Sequence, residues 1–410
     1  MLALKEKKIH LPRKDLISWI IFLPTLIILL FSLIPAIFPA FLLTTFGGRE
    51  NISGINPFEM GAFAVPLLVT NFVLLGIGVL YYKNRLWKPI TKSFRFILNF
   101  EVSKTLAFYV VAILIGLYVF FSIPELFNNM FQADYSEHFK PWLEIYSVTD
   151  FKATPIQYHM QFFLETTSMQ IFENYKVIPF IASIALLVLT YFFTAELSKK
   201  RFAGIVAMVI VLQSNVFLMY DTSVSYPNFW ILFYLFSLYL ILKKWPLSPI
   251  FYAASVFSKG LTAAFVPMTL FFVYRSNISK KKKIHIVISY GVILALGIIF
   301  LVSTSESLVN VLEFSNHDFW GGFSAVYNAL RFDGLILFLL LPLIVGLFIT
   351  SRRGIKHADS IMFLILGVLI SAPFIEAFSN VISVPYRFLP LVVFFAIGTG
   401  MLLSRNYNVK

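Results

Sequence analysis

The residues able to do chemistry are few in this chain and are widely spaced. Asp134 and Glu137 stand three apart in FQADYSEHFKPWLEIYSVTDF. In a helix that spacing puts both on one face. A carboxylate pair suits general-base work or a divalent cation; the plainer reading is a solvated loop, and spacing alone leaves both open. Lys259 sits in PLSPIFYAASVFSKGLTAAFVPMTLFFVYR, an otherwise apolar segment. A lysine there is costly unless it faces a cavity or a partner, or snorkels to the interface. Ser258, Gly260 and Thr262 around it are small and leave room for a ligand. Arg387 follows Tyr386 in VPYRFLP. Its planar fork of donors matches a phosphate, and an interfacial anchor beside Tyr386 is the alternative. His159 could orient a substrate and Asp221 could bind one or cap a helix. His317, Asp318 and Glu376 complete the set, each more at home in a structural role when taken singly.

The elements that must position these groups are membrane helices. Of the 410 residues, 59% are hydrophobic and 13% charged. Continuous apolar runs of about 18 residues or more read as transmembrane helices, and their lack of alternation argues against a barrel. The fold class expected is all-α, a polytopic bundle. Apolar spans fall near 16–44, 60–82, 104–124, 177–194, 203–220, 227–242, 286–303, 334–350, 359–379 and 386–403, about ten in all. The first is too long for a signal-peptide core and is read as retained.

Basic clusters set the orientation. KEKKIHLPRK places the N-terminus in the cytoplasm, and alternation then puts the C-terminus there too. The stretch RSNISKKKK stays inside only if 246–274 enters the membrane and returns as a short helical hairpin turning at Ser258-Lys259-Gly260. With that hairpin, all but seven of the 33 lysines and arginines lie inside; the exceptions are Arg49, Lys140, Lys152, Lys176, Lys259, Arg331 and Arg387. The outer face receives two longer loops, 125–176 and 304–333, and residues 155–172 read as an amphipathic surface helix. Asn51-Ile52-Ser53 is a weak outward glycosylation sequon.

The net charge of +13 is accounted for by topology and requires no nucleic acid. With no cysteine there is no disulfide, thiolate haem or Cys-ligated metal. No His/Asp/Asn set has metal spacing, and no glycine-rich phosphate loop or Rossmann pattern is present.

The carboxylate pair in ADYSEH, the lysine turn in FSKGLTAAFVPMTLFF and the late PYRFLPLVVFF resemble, over about 100–403, the GT-C superfamily of integral-membrane glycosyltransferases. The resemblance is one of arrangement. It implies a GT-C-like core over 101–410, preceded by a two-helix membrane segment over 1–100. It also implies Asp134 as catalytic base or metal-binding acid, and Lys259 and Arg387 at the phosphate of a lipid-linked sugar. The expected activity is transfer of a hexose or pentose from a polyprenyl-phosphate carrier to a glycan, lipid or protein acceptor at the outer face of the cell membrane. Glu137 would position the sugar or a divalent metal, and His159, Asp221 and Tyr386 would join the substrate site. A transporter or flippase of lipid-linked substrates, or a non-catalytic subunit of the same fold, stays open at this point.

Overall fold

A computed structural model of the chain describes residues 16–47, 56–128, 135–148, 156–304, 314–379 and 384–404. Among them every element is helical. In chain order these are α1 (Leu16–Ile37), α2 (Phe41–Thr45), α3 (Ala64–Tyr82), α4 (Lys88–Asn99), α5 (Lys104–Ser122), α6 (Lys140–Ile145), α7 (His159–Phe172), α8 (Val177–Ser198) and α9 (Arg201–Leu212). Then follow α10 (Asn215–Tyr220), α11 (Phe229–Lys243), α12 (Ser248–Ser258), α13 (Val266–Arg275), α14 (Lys280–Thr304), α15 (Asn316–Leu330), α16 (Gly334–Arg352), α17 (His357–Ser379) and α18 (Leu389–Leu402).

Seven helices among the described residues are long and apolar enough to cross a bilayer: α1, α3, α5 with the turn after it, α8, α16, α17, and α18 with the turn before it. This is a multi-pass helical membrane protein. The bundle has a clear inside. The α18 span is 78% buried within the protein, whereas those of α3 and α5 are 17% buried. The outward side chains of α3 and α5 include Val65, Phe72, Phe108, Ile113 and Phe120, all apolar and suited to lipid. Helix α1 packs against α15, α16 and α17, and α18 against α8, α9, α16 and α17.

Where the sequence suggests one span over 203–220, the chain forms two helices broken at Gln213-Ser214. Ser214 caps α10 by accepting from the Phe217 amide, and donates to Asp333 at 2.7 Å. Asp333 also accepts from the Asn215 amide at 2.6 Å. A remote carboxylate thus satisfies backbone that a continuous helix would have satisfied itself.

The 304–333 stretch is not simply a loop. Within it α15 packs on α17 and α1, burying Phe323, Val326, Ala329 and Leu330. Gly322 permits the crossing: a Cβ built there would lie 2.4 Å from Cα of Pro373 in α17. Small residues allow such backbone approach in membrane bundles. Gly322→Ala is expected to cost about 1–3 kcal/mol by overpacking, read as a lowered thermal unfolding midpoint in detergent. An unchanged midpoint would mean that α15 slides freely on α17.

Within 246–274 the chain reverses direction. Lys259, after α12, is extended (φ −160°, ψ 110°), and a 3-10 turn Gly260–Phe265 leads into α13. The Tyr252 hydroxyl donates to the Thr262 carbonyl at 2.8 Å, so the chain has doubled back. Trp245 lies against His285, and Lys283 bonds the Tyr274 carbonyl. Both ends of the excursion are therefore on one side of the bundle. The same end holds Arg275, paired with Asp359 at the start of α17, and is rich in lysine and arginine.

Candidate functional site

The opposite end of the bundle gathers Lys259, Tyr386 and Arg387. Helix α17, with 23 residues and a length of roughly 34 Å, separates it from the Arg275–Asp359 pair. Lys259 reaches this position because α12 stops beneath it. Ser258 turns its hydroxyl back on the Ala254 carbonyl, and the Lys259 amide closes on the Ser255 carbonyl. Gly260 then lets Gln157 come close: a Cβ would meet its Oε1 at 3.1 Å. Tyr386 and Arg387 come from a 3-10 turn, Pro385–Phe388, entered through extended Val384 (φ −92°, ψ 153°). An extended residue before proline is the expected geometry.

Lys259 is 8% exposed. Its ammonium donates to the Tyr386 hydroxyl and to that of Tyr158, the latter at 3.3 Å. It also stands over both rings, 4.8 Å from the Tyr158 centroid and 4.6 Å from that of Tyr386. Cation–π attraction and two hydroxyls take the place of lost hydration. Tyr226 stacks on Tyr386 at 4.1 Å and 20°, and Tyr220 meets both edge-on. The Arg387 guanidinium lies alongside the Tyr386 oxygen. Its Nε and Nη1 are buried and have no hydrogen-bond partner among the described residues. Among those residues no carboxylate makes an ion pair with Lys259 or Arg387. Two cations thus converge on one phenol, and donor capacity is left over.

An aromatic roof closes over the lysine. Tyr158 stacks with Trp142 at 6.1 Å and 25°, and Phe139 and Phe162 pack beneath them. This small core, with Leu143 and Val224, is how 135–148 and 156–175 pack back on the bundle.

The other predicted site residues are placed differently. Asp134 lies outside the described residues, and so does the Asn51-Ile52-Ser53 sequon. Glu137 is exposed, in a π-type turn over Tyr135–Phe139. His159 begins α7 with its ring against Tyr146, whose hydroxyl is 3.3 Å from Nε2; burial lowers its pKa and favours the neutral ring. His317 faces the Gly47 carbonyl at 2.9 Å, and Trp320 stacks on Phe46 at 4.7 Å, so this pair of groups serves internal packing. Glu376 is nearly buried near the end of α17. Among the described residues no three His, Asp or Glu side chains gather closely enough for a metal.

Asp221 is 1% exposed and acts as a staple. It accepts from Tyr118 at 2.8 Å and Ser122 at 3.2 Å, and its carbonyl accepts from Ser183 at 2.7 Å. Burial pushes its carboxyl from the ordinary 3.8 up to about 7. The folded chain then holds a proton that the unfolded chain releases. That stabilisation is complete below the unfolded value of 3.8 and is lost as pH rises through about 7. Asp221→Asn keeps the shape without the charge and is expected to flatten this slope, by up to about 1.4 kcal/mol per pH unit. Unfolding midpoints of both proteins between pH 4 and 8 check it; parallel curves would contradict it.

Sequence reasoning missed Glu165. Together with Gln161, Phe162 and Ser168 it forms the buried face of α7, while Phe163, Ile171 and Phe172 face outward. The polar stripe is therefore turned toward protein. Gln161 bridges the Val224 carbonyl and Glu165 Oε1 at 2.9 and 3.0 Å, and complete burial raises the Glu165 pKa well above the carboxylate range.

Comparison with known proteins finds no match: no family model, no curated protein and no solved structure resembles the chain closely enough to assign it.

Proposed function

We propose that the protein is a GT-C-like glycosyltransferase. It moves a sugar from a polyprenyl-phosphate carrier to an acceptor at the membrane face opposite the basic end, with both chain termini cytoplasmic. The observation that carries the proposal is the pair Lys259 and Arg387: two cations around the Tyr386 phenol, paired with no carboxylate among the described residues, at the end of an apolar bundle. Such a pair suits a phosphate whose prenyl chain stays among the helices. In this reading the lipid phosphate takes the spare donors of Arg387 and shares Lys259 with Tyr386. The exposed position of Glu137 leaves it available to position the sugar or a divalent metal. Asp134 would take the proton of the acceptor hydroxyl as the glycosyl bond to phosphate breaks and the bond to the acceptor oxygen forms.

The test is transfer of labelled sugar from polyprenyl-phosphate donors in proteoliposomes. Transfer by the wild-type chain, lost in Asp134→Asn and Lys259→Ala, supports the reading. Full transfer by both variants, or translocation of the lipid without sugar transfer, overturns it.

A further inference from the structure

A second cationic site lies at the other end of the bundle. The short link after α13, the first turn of α14 and the residues leading into α17 enclose a cavity of about 410 Å³. Arg275, Lys283, Lys356, Tyr274 and Asn277 line it, and no lining side chain is acidic. The three cations are held together by named contacts. The Lys283 ammonium bonds the Tyr274 carbonyl at 2.5 Å. Arg275 Nε donates to the Lys356 carbonyl at 3.4 Å, and its guanidinium pairs with buried Asp359. Lys356 and Arg275 are both close enough to Lys283 to repel it. Basic loops on the cytoplasmic side need only be basic to set topology. Nothing in that rule asks three cations to converge on one hollow, where Asp359 offsets the charge of Arg275 and no lining carboxylate offsets that of Lys283 or Lys356.

The cavity adjoins an apolar helix face. Immediately beyond Lys283, α14 turns Ile284, Val287 and Ile288 outward, at 59%, 43% and 58% exposure. This apolar face belongs in acyl chains, so Lys283 marks the boundary. We propose that this pocket binds the phosphate of an anionic lipid headgroup, with Lys283, Lys356 and the Asn277 amide as donors and the acyl chains along α14. The inference is independent of what the Lys259 end binds.

The experiment measures lipid retention by native mass spectrometry on the full-length chain purified in uncharged detergent, titrated with phosphatidylglycerol or phosphatidylcholine. The expected result is saturable binding of one phosphatidylglycerol in preference to phosphatidylcholine. Lys283→Gln/Lys356→Gln should weaken it by about tenfold or more. Lys280→Gln/Lys281→Gln removes the same charge from neighbours outside the pocket, and should change affinity less than about threefold. Unfolding midpoints of both variants confirm folding before binding is compared. Three results would overturn the proposal: equal loss in both double variants, which would assign the effect to bulk surface charge; no preference over phosphatidylcholine; or complete displacement of the lipid by millimolar inorganic phosphate, which would make the ligand a soluble anion.

Discussion

Lys259→Ala is expected to weaken binding of a polyprenyl phosphate by about 30-fold to several thousand-fold while leaving the protein folded. The range follows from removing a desolvated charge from a hydrogen-bonded charged contact, about 2–5 kcal/mol. Fold survival follows from what the lysine does for the protein itself. Its contacts with Tyr158 and Tyr386 are cation–π and hydroxyl contacts, worth together on the order of 1–3 kcal/mol, and its removal strands no ion-pair partner among the described residues. Arg387→Ala should have an effect of the same order. The double variant should lose less than the sum, because both cations serve one phosphate and their effects are coupled. Tyr386→Phe tests the phenol separately. It removes the oxygen that accepts from Lys259 but keeps the ring and its stack on Tyr226, and should cost only about fivefold. The measurement is equilibrium binding of a labelled polyprenyl phosphate against the matching polyprenol in nanodiscs. If wild-type protein binds both alike, or if Lys259→Ala, Arg387→Ala and their double variant retain phosphate selectivity, Lys259 is a structural lysine held between two tyrosines and the phosphate reading fails.

How far the sequence could show this site depends on which force places each group. The cost of a charge in lipid is severe and local, so Lys259 could be read from its own neighbourhood. The same cost, with the charge bias of the loops, predicted a returning hairpin at 246–274, and the Tyr252–Thr262 contact shows the reversal. Tyr386 and Arg387 were legible as neighbours in VPYRFLP, but the hydrogen bond that the Tyr386 hydroxyl accepts from the Lys259 ammonium spans 127 positions. Tyr158 and Tyr226 could not be singled out. The chain has 19 tyrosines, and nothing local distinguishes Tyr158, which stands under the lysine, or Tyr226, which stacks on Tyr386.

Helix α7 shows why the polar groups were harder to read than the apolar ones. Gln161, Glu165 and Ser168 recur at helical spacing, which in a soluble protein marks a solvated face. In a bilayer the apolar stripe goes to lipid and the polar stripe to the protein interior, so the pattern was visible but its direction was not. The break at Gln213-Ser214 was hidden for another reason. Residues 203–212 and 215–220 are almost wholly apolar, and the carboxylate that satisfies the broken backbone is Asp333, 119 positions from Ser214. Where a single residue's solvation decides its position, the chain can be read locally; where a distant partner decides it, local reading fails.

The basic end supplies the largest stability effect expected. Arg275 pairs with Asp359, with side-chain exposures of 5% and 0%. Ser18 of α1 donates to the same Asp359 oxygen at 3.2 Å and lies 2.9 Å from the Ser351 hydroxyl of α16. One carboxylate therefore ties α1, α13, α16 and α17 together where the returning hairpin must end. Taking away one member of a buried pair leaves the other charge without its counter-charge, which typically costs about 3–5 kcal/mol, while replacing both with apolar side chains of similar volume is often neutral. Arg275→Met and Asp359→Leu are each expected to lower stability by that amount. Asp359→Leu should be the worse of the two, because it also strips an acceptor from Ser18 and leaves Arg275 facing Lys283 and Lys356 with no counter-charge from Asp359. The double variant should recover most of the loss, since the two side chains would then pack as apolar neighbours. Chemical or thermal unfolding in detergent, run as a double-mutant cycle, gives the coupling directly. Single losses below about 1 kcal/mol would place the pair in solvent-screened surroundings. A double loss equal to the sum would show that each residue is held by other contacts, and the tie between α13 and α17 would then rest on apolar packing alone.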